Sequence, residues 1–473
     1  MIACTSGRKE RPFWKRGHVW VGAGAAILVI LVYLASSRGR LLPAFWRLPA
    51  PHPRPAESRE ERWRQDLDYL AGQLPRLHVN AYHTLPQAEF ERAARELDAA
   101  LPGLNDRQAS IELVRLVARI DDAHTRAIPA PSDTEHLLPV RLYWFADGIY
   151  VVDAMPGAEQ AIGTRLLRIS DAGIERACEA IRPLIAYETE QGYENRVTLL
   201  VLSPELLEDV GLIEASEEAP FLLERLTGER FEVGLSPVPA DAYQSFFGDP
   251  EHVPPAEAQS LYGSRPELYY WFEYLPAEQA IYFQFDRCAE QEGRPLEAFY
   301  DELFAALDAH PVQRLVVDLR FNGGGNSALL GPFIERLAEH PLNERGKLYV
   351  LIGRGTFSSA VLNALELGQE TEALFAGEPT AGSANHYGEI KQFVLPNSGM
   401  RVQYSTKYFG TGIYGLGSMS AGDYLGAMGY SLRRFPVSEP GVTPVMPDLP
   451  IEPTGLDHFA GCDPVLDAAL SRP

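Results

Sequence analysis

Two short stretches carry what acyl transfer needs: a hydroxyl that can attack, and backbone N–H groups that can hold an oxyanion. The first is Leu348-Tyr-Val-Leu-Ile-Gly-Arg-Gly-Thr-Phe-Ser358-Ser359-Ala360. An apolar strand pattern runs through a glycine turn into a helix that starts on serines. A hydroxyl there has the geometry of a nucleophile elbow, and the helix dipole favours negative charge beside it. Serine is equally at home there as a plain N-cap. The second stretch is Val316-Val-Asp-Leu-Arg-Phe-Asn-Gly-Gly-Gly-Asn326. Its three glycines leave N–H groups unscreened by side chains, as an oxyanion hole or a phosphate cradle requires, although they also fit a tight strand-to-helix turn. The lysine and Ser/Thr of a phosphate loop are missing, and so is GxGxxG, so nucleotide binding has no support.

The elements around these stretches must bring them to one cleft. From about residue 278 strands and helices alternate, the mark of an α/β layer. Ala280–Phe285, Leu315–Asp318 and Leu348–Ile352 read as strands, and Leu329–Glu339 and Ser358–Leu367 as helices. Loops after parallel strands leave the sheet at the same edge, so the glycine turn and the serine turn can face each other. Phe393–Leu395 and Arg401–Tyr404 pair around Pro396-Asn-Ser-Gly399 as a hairpin. Upstream, helical spacing links Trp63, Leu67, Leu70 and Leu74, then Phe90, Ala93, Leu97 and Leu101, then Leu113, Leu116, Val117 and Ile120. Asn105 and Asp106 are available to cap the third helix. Val140–Phe145 and Ile149–Val152 read as strands split by a turn. The expected order is a membrane-proximal head and anchor (1–37), a Pro-rich linker (38–60) and a helical region (61–135). A small β-rich module (136–185), an intermediate region (186–275) and the α/β core (276–473) follow. No internal repeat is found.

Three blocks in order, Asp318-Leu-Arg-Phe-Asn-Gly-Gly-Gly325, Gly355-Thr-Phe-Ser-Ser-Ala360 and Gly377-Glu-Pro-Thr-Ala-Gly382, resemble the S41 serine peptidases, the C-terminal-processing or tail-specific protease group. Asp122-Ala-His-Thr125, the PDZ-like stretch Gly163–Ile174 and Asp463-Pro-Val-Leu466 fit a bacterial, membrane-anchored branch of that family. The resemblance implies a ClpP/crotonase-like α/β peptidase core with an N-terminal helical cap and a PDZ-like module. It implies Ser358 as nucleophile, with Ser359 N–H and a glycine of the 323–325 run, Gly324 or Gly325, as oxyanion hole. The sequence departs from the family where tail-specific proteases place a lysine base, because Ser383 stands in that slot. His124 is the first candidate base, since imidazole suits proton transfer near neutrality and tricorn-type relatives use an N-terminal histidine. As a packing residue it would fall on the apolar stripe, four after Ile120. His386, Lys391 and Lys407 are other candidates, and Glu389 could orient a histidine.

Composition sets the remaining bounds. The chain has 473 residues and a net charge of −22, but eight of its 42 basic and one of its 64 acidic residues fall in residues 1–47. The rest carries −29, which repels a phosphate backbone and argues against nucleic acid as a partner. Val19–Ala35 is a charge-free run of 17 residues flanked by Lys/Arg, long enough for a membrane-spanning helix with its N-terminus in the cytoplasm. A cleaved signal peptide and a soluble helix are the other readings of it. The body is therefore expected outside the cytoplasm, in the periplasm or at the cell surface. Cys4, Cys178, Cys288 and Cys462 are too scattered for a disulfide scaffold, and without CxxC or HExxH no metal or organic cofactor is implied. The reading is a serine peptidase acting on polypeptides through an acyl-enzyme. Its alternatives are a catalytically impaired relative that binds peptides or envelope proteins, and hydrolysis of a non-peptide ester or amide.

Overall fold

The computed structural model describes residues 43–130, 136–214, 219–249, 252, 254, 260–410 and 443–471. The apolar Val19–Ala35 run lies outside them, and among the described residues no helix is long and apolar enough to cross a membrane. Three helices come first: α1 (Arg59–Leu77), α2 (Gln87–Ala100) and α3 (Asp106–Ala118). Ser58 caps α1 by accepting from the Glu61 N–H, and Asn105 with Gln108 forms a capping box on α3. The helices bury Leu67, Leu70, Leu74, Phe90, Leu113 and Val117 in one cluster. The chain then extends into β1 (Arg126–Ile128).

Next comes an antiparallel sheet of β2 (Val140–Phe145), β3 (Gly148–Ala154), β4 (Thr164–Ile169), β5 (Ala219–Arg225) and β6 (Arg230–Leu235), in that spatial order. Helices α4 (Ile174–Ile181) and α5 (Glu190–Leu200) are inserted between β4 and β5 and pack on the sheet. Val151, Leu166, Ile181, Val197, Phe221 and Leu223 share one core. The boundary expected at 185/186 therefore cuts through a single packed unit, and the module continues to about Phe247.

The larger sheet holds β7 (Tyr270–Leu275), β8 (Ala280–Phe285), β9 (Arg314–Asp318), β10 (Leu348–Ile352) and β11 (Leu374–Gly377). A hairpin of β12 (His386–Val394) and β13 (Arg401–Phe409) follows, and then β14 (Leu449–Pro450) closes the sheet beside β11. Among the described residues β7 is antiparallel to β8 and every later neighbour is parallel. Every residue of β8 and of β10 is buried, as in a sheet covered on both faces. Helices α6 (Leu296–Ala309), α7 (Gly331–Ala338) and α8 (Ser359–Glu370) supply one face, and α9 (Pro464–Ser471) the other. This is the α/β core with helical cap and β-rich module that the sequence implied. The core sheet begins at Tyr270, inside the stretch assigned to an intermediate region. The hairpin pairs with β1 and gives Phe393, Val402 and Tyr404 to the helical cluster, so the cap and the core share an interior.

The C-terminal segment clamps the glycine turn. Arg320 is buried and makes a forked pair with Asp463, 2.8 Å on each arm, while its Nη2 also reaches Asp318 Oδ2 at 2.6 Å. Burial alone would raise the Asp463 carboxyl, but the guanidinium opposite holds it below its ordinary value. Tyr282 donates to Asp318 Oδ2 as well, at 2.7 Å. Among the described residues the neighbouring Asp286 makes no ion pair. Its Oδ2 accepts from Gln284 Nε2 at 2.5 Å, and among the described residues its buried Oδ1 has no hydrogen-bond partner.

Burial, only partly opposed by Gln284, pushes the Asp286 carboxyl up from 3.8 to about 7. Between those two pH values the folded chain holds a proton that the unfolded chain has released, so stability falls as pH rises through that window. Asp286→Asn keeps the acceptor and removes the charge. Its urea midpoint is expected to exceed that of the parent at pH 8, with the gap closing toward pH 4; a gap that does not change with pH contradicts this account.

Candidate active site

The serine turn sits at the C-terminal end of β10. Gly355 passes so close to the preceding loop that a Cβ there would lie 2.4 Å from the Arg320 carbonyl oxygen. Thr356 Oγ1 donates to the Leu319 carbonyl at 2.8 Å, and the Phe357 N–H to the Asn322 carbonyl at 3.0 Å. These bonds hold Ser358 at φ 54°, ψ −123°, a left-handed conformation that a residue with a Cβ adopts only when its surroundings impose it. Ser358 stands at the N-cap of α8, yet its side chain makes no capping hydrogen bond. The residue is partly exposed, and its hydroxyl is free of the capping duty that serine usually performs there.

The glycine turn is pressed against the serine turn. Gly324 has φ 104°, and a Cβ on it would lie 2.7 Å from Ser358 Cβ and 3.0 Å from the Ser359 nitrogen. Gly325, at φ 136°, passes the Cys288 carbonyl so closely that a Cβ would lie 2.3 Å away. Ser359 Oγ donates to the Gly325 carbonyl at 2.6 Å and ties the two turns together. The Gly324 N–H is donated to Asn322 Oδ1 at 2.9 Å. The Ser359 N–H opens α8, where the helix supplies no acceptor of its own.

His124 comes to this edge from the loop after α3. Asp122, fully buried, organises that loop. Its Oδ1 accepts from the His124 N–H at 2.9 Å, and its Oδ2 from Thr125 Oγ1, Ser405 Oγ and His78 Nε2 at 2.5, 2.6 and 2.9 Å. His78 Nδ1 accepts from the Asn80 N–H at 2.9 Å, which leaves Nε2 as the donor to Asp122. Burial alone would raise the Asp122 carboxyl, but the donors around it, His78 first, hold it well below its ordinary value.

The His124 ring stacks with Phe357, the residue before Ser358, at 4.5 Å, and with His386 at 5.6 Å. Phe409 continues the pile at 5.5 Å from His386. His124 Nδ1 lies 3.6 Å from Glu188 Oε1 and 3.9 Å from Asp122 Oδ1. Glu188 Oε2 accepts from the Ser383 N–H at 2.9 Å, so the slot where a lysine was expected lies against this carboxylate. The Ser383 hydroxyl donates to the Thr443 carbonyl at 3.1 Å. Arg196, from α5, donates to the Ala186 and Ala123 carbonyls at 2.5 and 2.8 Å and fastens the loops of Glu188 and His124 to each other. A cavity of about 130 Å³ adjoins them, lined by Glu188, Phe357, Gly323 and Ala381 among others.

The structure thus gathers Ser358, Ser359, Gly324, Gly325, His124 and His386 at one sheet edge. His386 Nδ1 donates to the Ser383 carbonyl at 2.8 Å, and burial lowers its pKa below the ordinary imidazole value. Glu389 and Lys407 are not gathered there: both are exposed and pair at 3.2 Å on the hairpin's outer face. Lys391 faces Tyr404 across the hairpin, half-buried. Glu188, Arg196 and His78 were missed by sequence reasoning. Nothing in their local sequence marks them, because their partners are brought in by the module and the hairpin.

Mature CPAF superposes with a TM-score of 0.60 at 14% identity, covering 87% of this chain and 96% of that one. Mature CPAF complexed with lactacystin gives 0.59 at 14% identity, with 85% and 96% covered. The chain shares the CPAF fold. No family model matches the sequence, and no curated protein matches it. The likeness to CPAF extends over most of both chains, at an identity that speaks for the fold alone.

Because the glycine turn leaves no room for a Cβ, Gly324→Ala must push Ser358 or its own loop aside. A displacement near 1 Å at a reacting group costs about 10²-fold in rate. The expected outcome is a loss of that order in fluorophosphonate labelling of Ser358, with the circular dichroism spectrum unchanged. Labelling at the parental rate would mean that the contact does not position the serine.

Proposed function

We propose that this protein is a membrane-tethered serine peptidase of S41 type whose body works outside the cytoplasm. One observation carries the reading: Ser358 holds a strained backbone with no capping bond from its hydroxyl, and Phe357 just before it stacks on the buried His124 ring. In this mechanism His124 Nε2 takes the Ser358 proton as Oγ attacks a peptide carbonyl. The Ser359 N–H and, with the Gly324 N–H held by Asn322, the Gly325 N–H stabilise the oxyanion. The imidazolium then gives its proton to the leaving amine, and water releases the acyl group. Glu188, facing Nδ1, orients the ring in the role that an acid plays in a triad.

A second reading, a peptide-binding relative without catalysis, draws on Ser383 in the lysine slot and on the engaged Gly324 N–H. Fluorophosphonate labelling of the purified chain separates the two. The peptidase reading expects labelling of the parent, none in Ser358→Ala, and a loss of at least about 10²-fold in His124→Ala, as for removal of a general base. No labelling of the parent at any pH from 5 to 9 favours the binding protein, and labelling that survives Ser358→Ala removes the proposed nucleophile. The tether rests on the charge-free run Val19–Ala35 and its basic flanks. It expects the full chain to stay with membranes in alkaline carbonate and to be digested by protease added from outside; recovery in the cytosolic fraction would contradict it.

A further inference from the structure

The His124 imidazole meets two carboxylates at separations that a hydrogen bond does not use. Nδ1 is 3.6 Å from Glu188 Oε1 and 3.9 Å from Asp122 Oδ1, whereas N–H···O bonds cluster near 2.7–3.2 Å. The His124 and Glu188 side chains are only 7% and 6% exposed, yet among the described residues Glu188 Oε1 and both His124 ring nitrogens have no hydrogen-bond partner. Asp122 Oδ1 accepts a single N–H, from His124. The three donor atoms lie within 4.8 Å of one another, the one such group of His, Cys, Asp and Glu found among the described residues. Two ligands bound tetrahedrally to zinc at about 2.0–2.2 Å stand roughly 3.3–3.6 Å apart. The separation from Glu188 to His124 already matches, the one from Asp122 to His124 needs a shift of a few tenths of an ångström, and the two carboxylates, within 4.8 Å of each other, must also close on the ion. One imidazole and two carboxylates are a donor set that Zn²⁺ takes, and their two negative charges offset its two positive ones. The cavity beside Glu188 and Ala123 ends at exposed Asn195 and offers a way in.

We propose that this group is an inhibitory zinc site. The chemistry of the block lies in one proton. Zinc on Nδ1 requires the lone pair there, so the neutral ring carries its single proton on Nε2. That is the nitrogen that must be bare to take the Ser358 proton, and the bound ion therefore holds the base in the wrong tautomer. The effect on activity rests on the peptidase reading above; the binding of the metal does not. The sequence has no local ligand spacing to reveal the site, because residues 122–124 and 188 come from loops that α5 and Arg196 bring together.

Two measurements on the full chain test this. In the first, Zn²⁺ is titrated against a chromophoric chelator with Ser358→Ala, Ser358→Ala/Glu188→Gln and Ser358→Ala/His124→Gln, each checked for native circular dichroism. Ser358→Ala is expected to bind one zinc that both double variants bind at least tenfold more weakly; equal affinity in all three overturns the site. In the second, fluorophosphonate labelling of the parent is timed with saturating Zn²⁺ and again after EDTA. At least a tenfold slowing that EDTA reverses is expected, and labelling at full rate with zinc bound overturns the block. A parent that never labels, with or without zinc, refutes the peptidase reading, while the titration still decides the metal site.

Discussion

The glycine turn after β9 and the serine turn after β10 lie closer together than any side chain at position 324 would permit, and the site depends on that contact. Strain in the Ser358 backbone is a cost of order 1–3 kcal/mol that the surroundings must offset. The offset comes from backbone bonds between the turns, from Ser359 Oγ on the Gly325 carbonyl, and from Arg320 held by two carboxylates. None of these groups needs to touch a substrate. They fix where the hydroxyl points, and the parallel sheet beneath supplies a rigid base for both turns.

Asp122 plays the matching part for the histidine. It draws donors from three separate places, His78 after α1, the His124 loop itself and Ser405 on β13. A buried carboxylate with four donors is stable as an anion and stiff as a hub, and removing any one donor would leave charge unsatisfied in the interior. The helical cap and the hairpin are thereby fastened to the same atom pair that shapes the loop of His124. Electrostatics and packing agree here, since the cap and the hairpin also share an apolar cluster.

Much of this was legible in the sequence where burial is total. β10 is an unbroken apolar run and β8 is one but for Gln284, and their limits in the structure are those read from the chain. The two catalytic-looking turns follow strands of the same parallel sheet, and that alone placed them at one edge. The hairpin was read too short, as Phe393–Leu395 and Arg401–Tyr404, because its outer half carries Glu389, Lys391 and Lys407 and lacks apolar alternation. Glu188 was invisible for a different reason. Its neighbours His124 and Ser383 are remote in sequence, and only the docking of α5 through Thr189 and Gly192 on the Ala381 carbonyl brings it there. Local periodicity cannot report a contact made by tertiary docking.

The clamp of Arg320 by Asp463 has a consequence for how the protein comes into being. His124 belongs to the first third of the described chain, Ser358 lies beyond its middle, and the carboxylate that braces the glycine turn is within the last helix-bearing segment. A chain still emerging from the ribosome has its histidine long before it has the brace, and one cut short before residue 463 never acquires it. The two turns are thus made before the brace that holds the first of them, and their fixed geometry is the last part of the site to form.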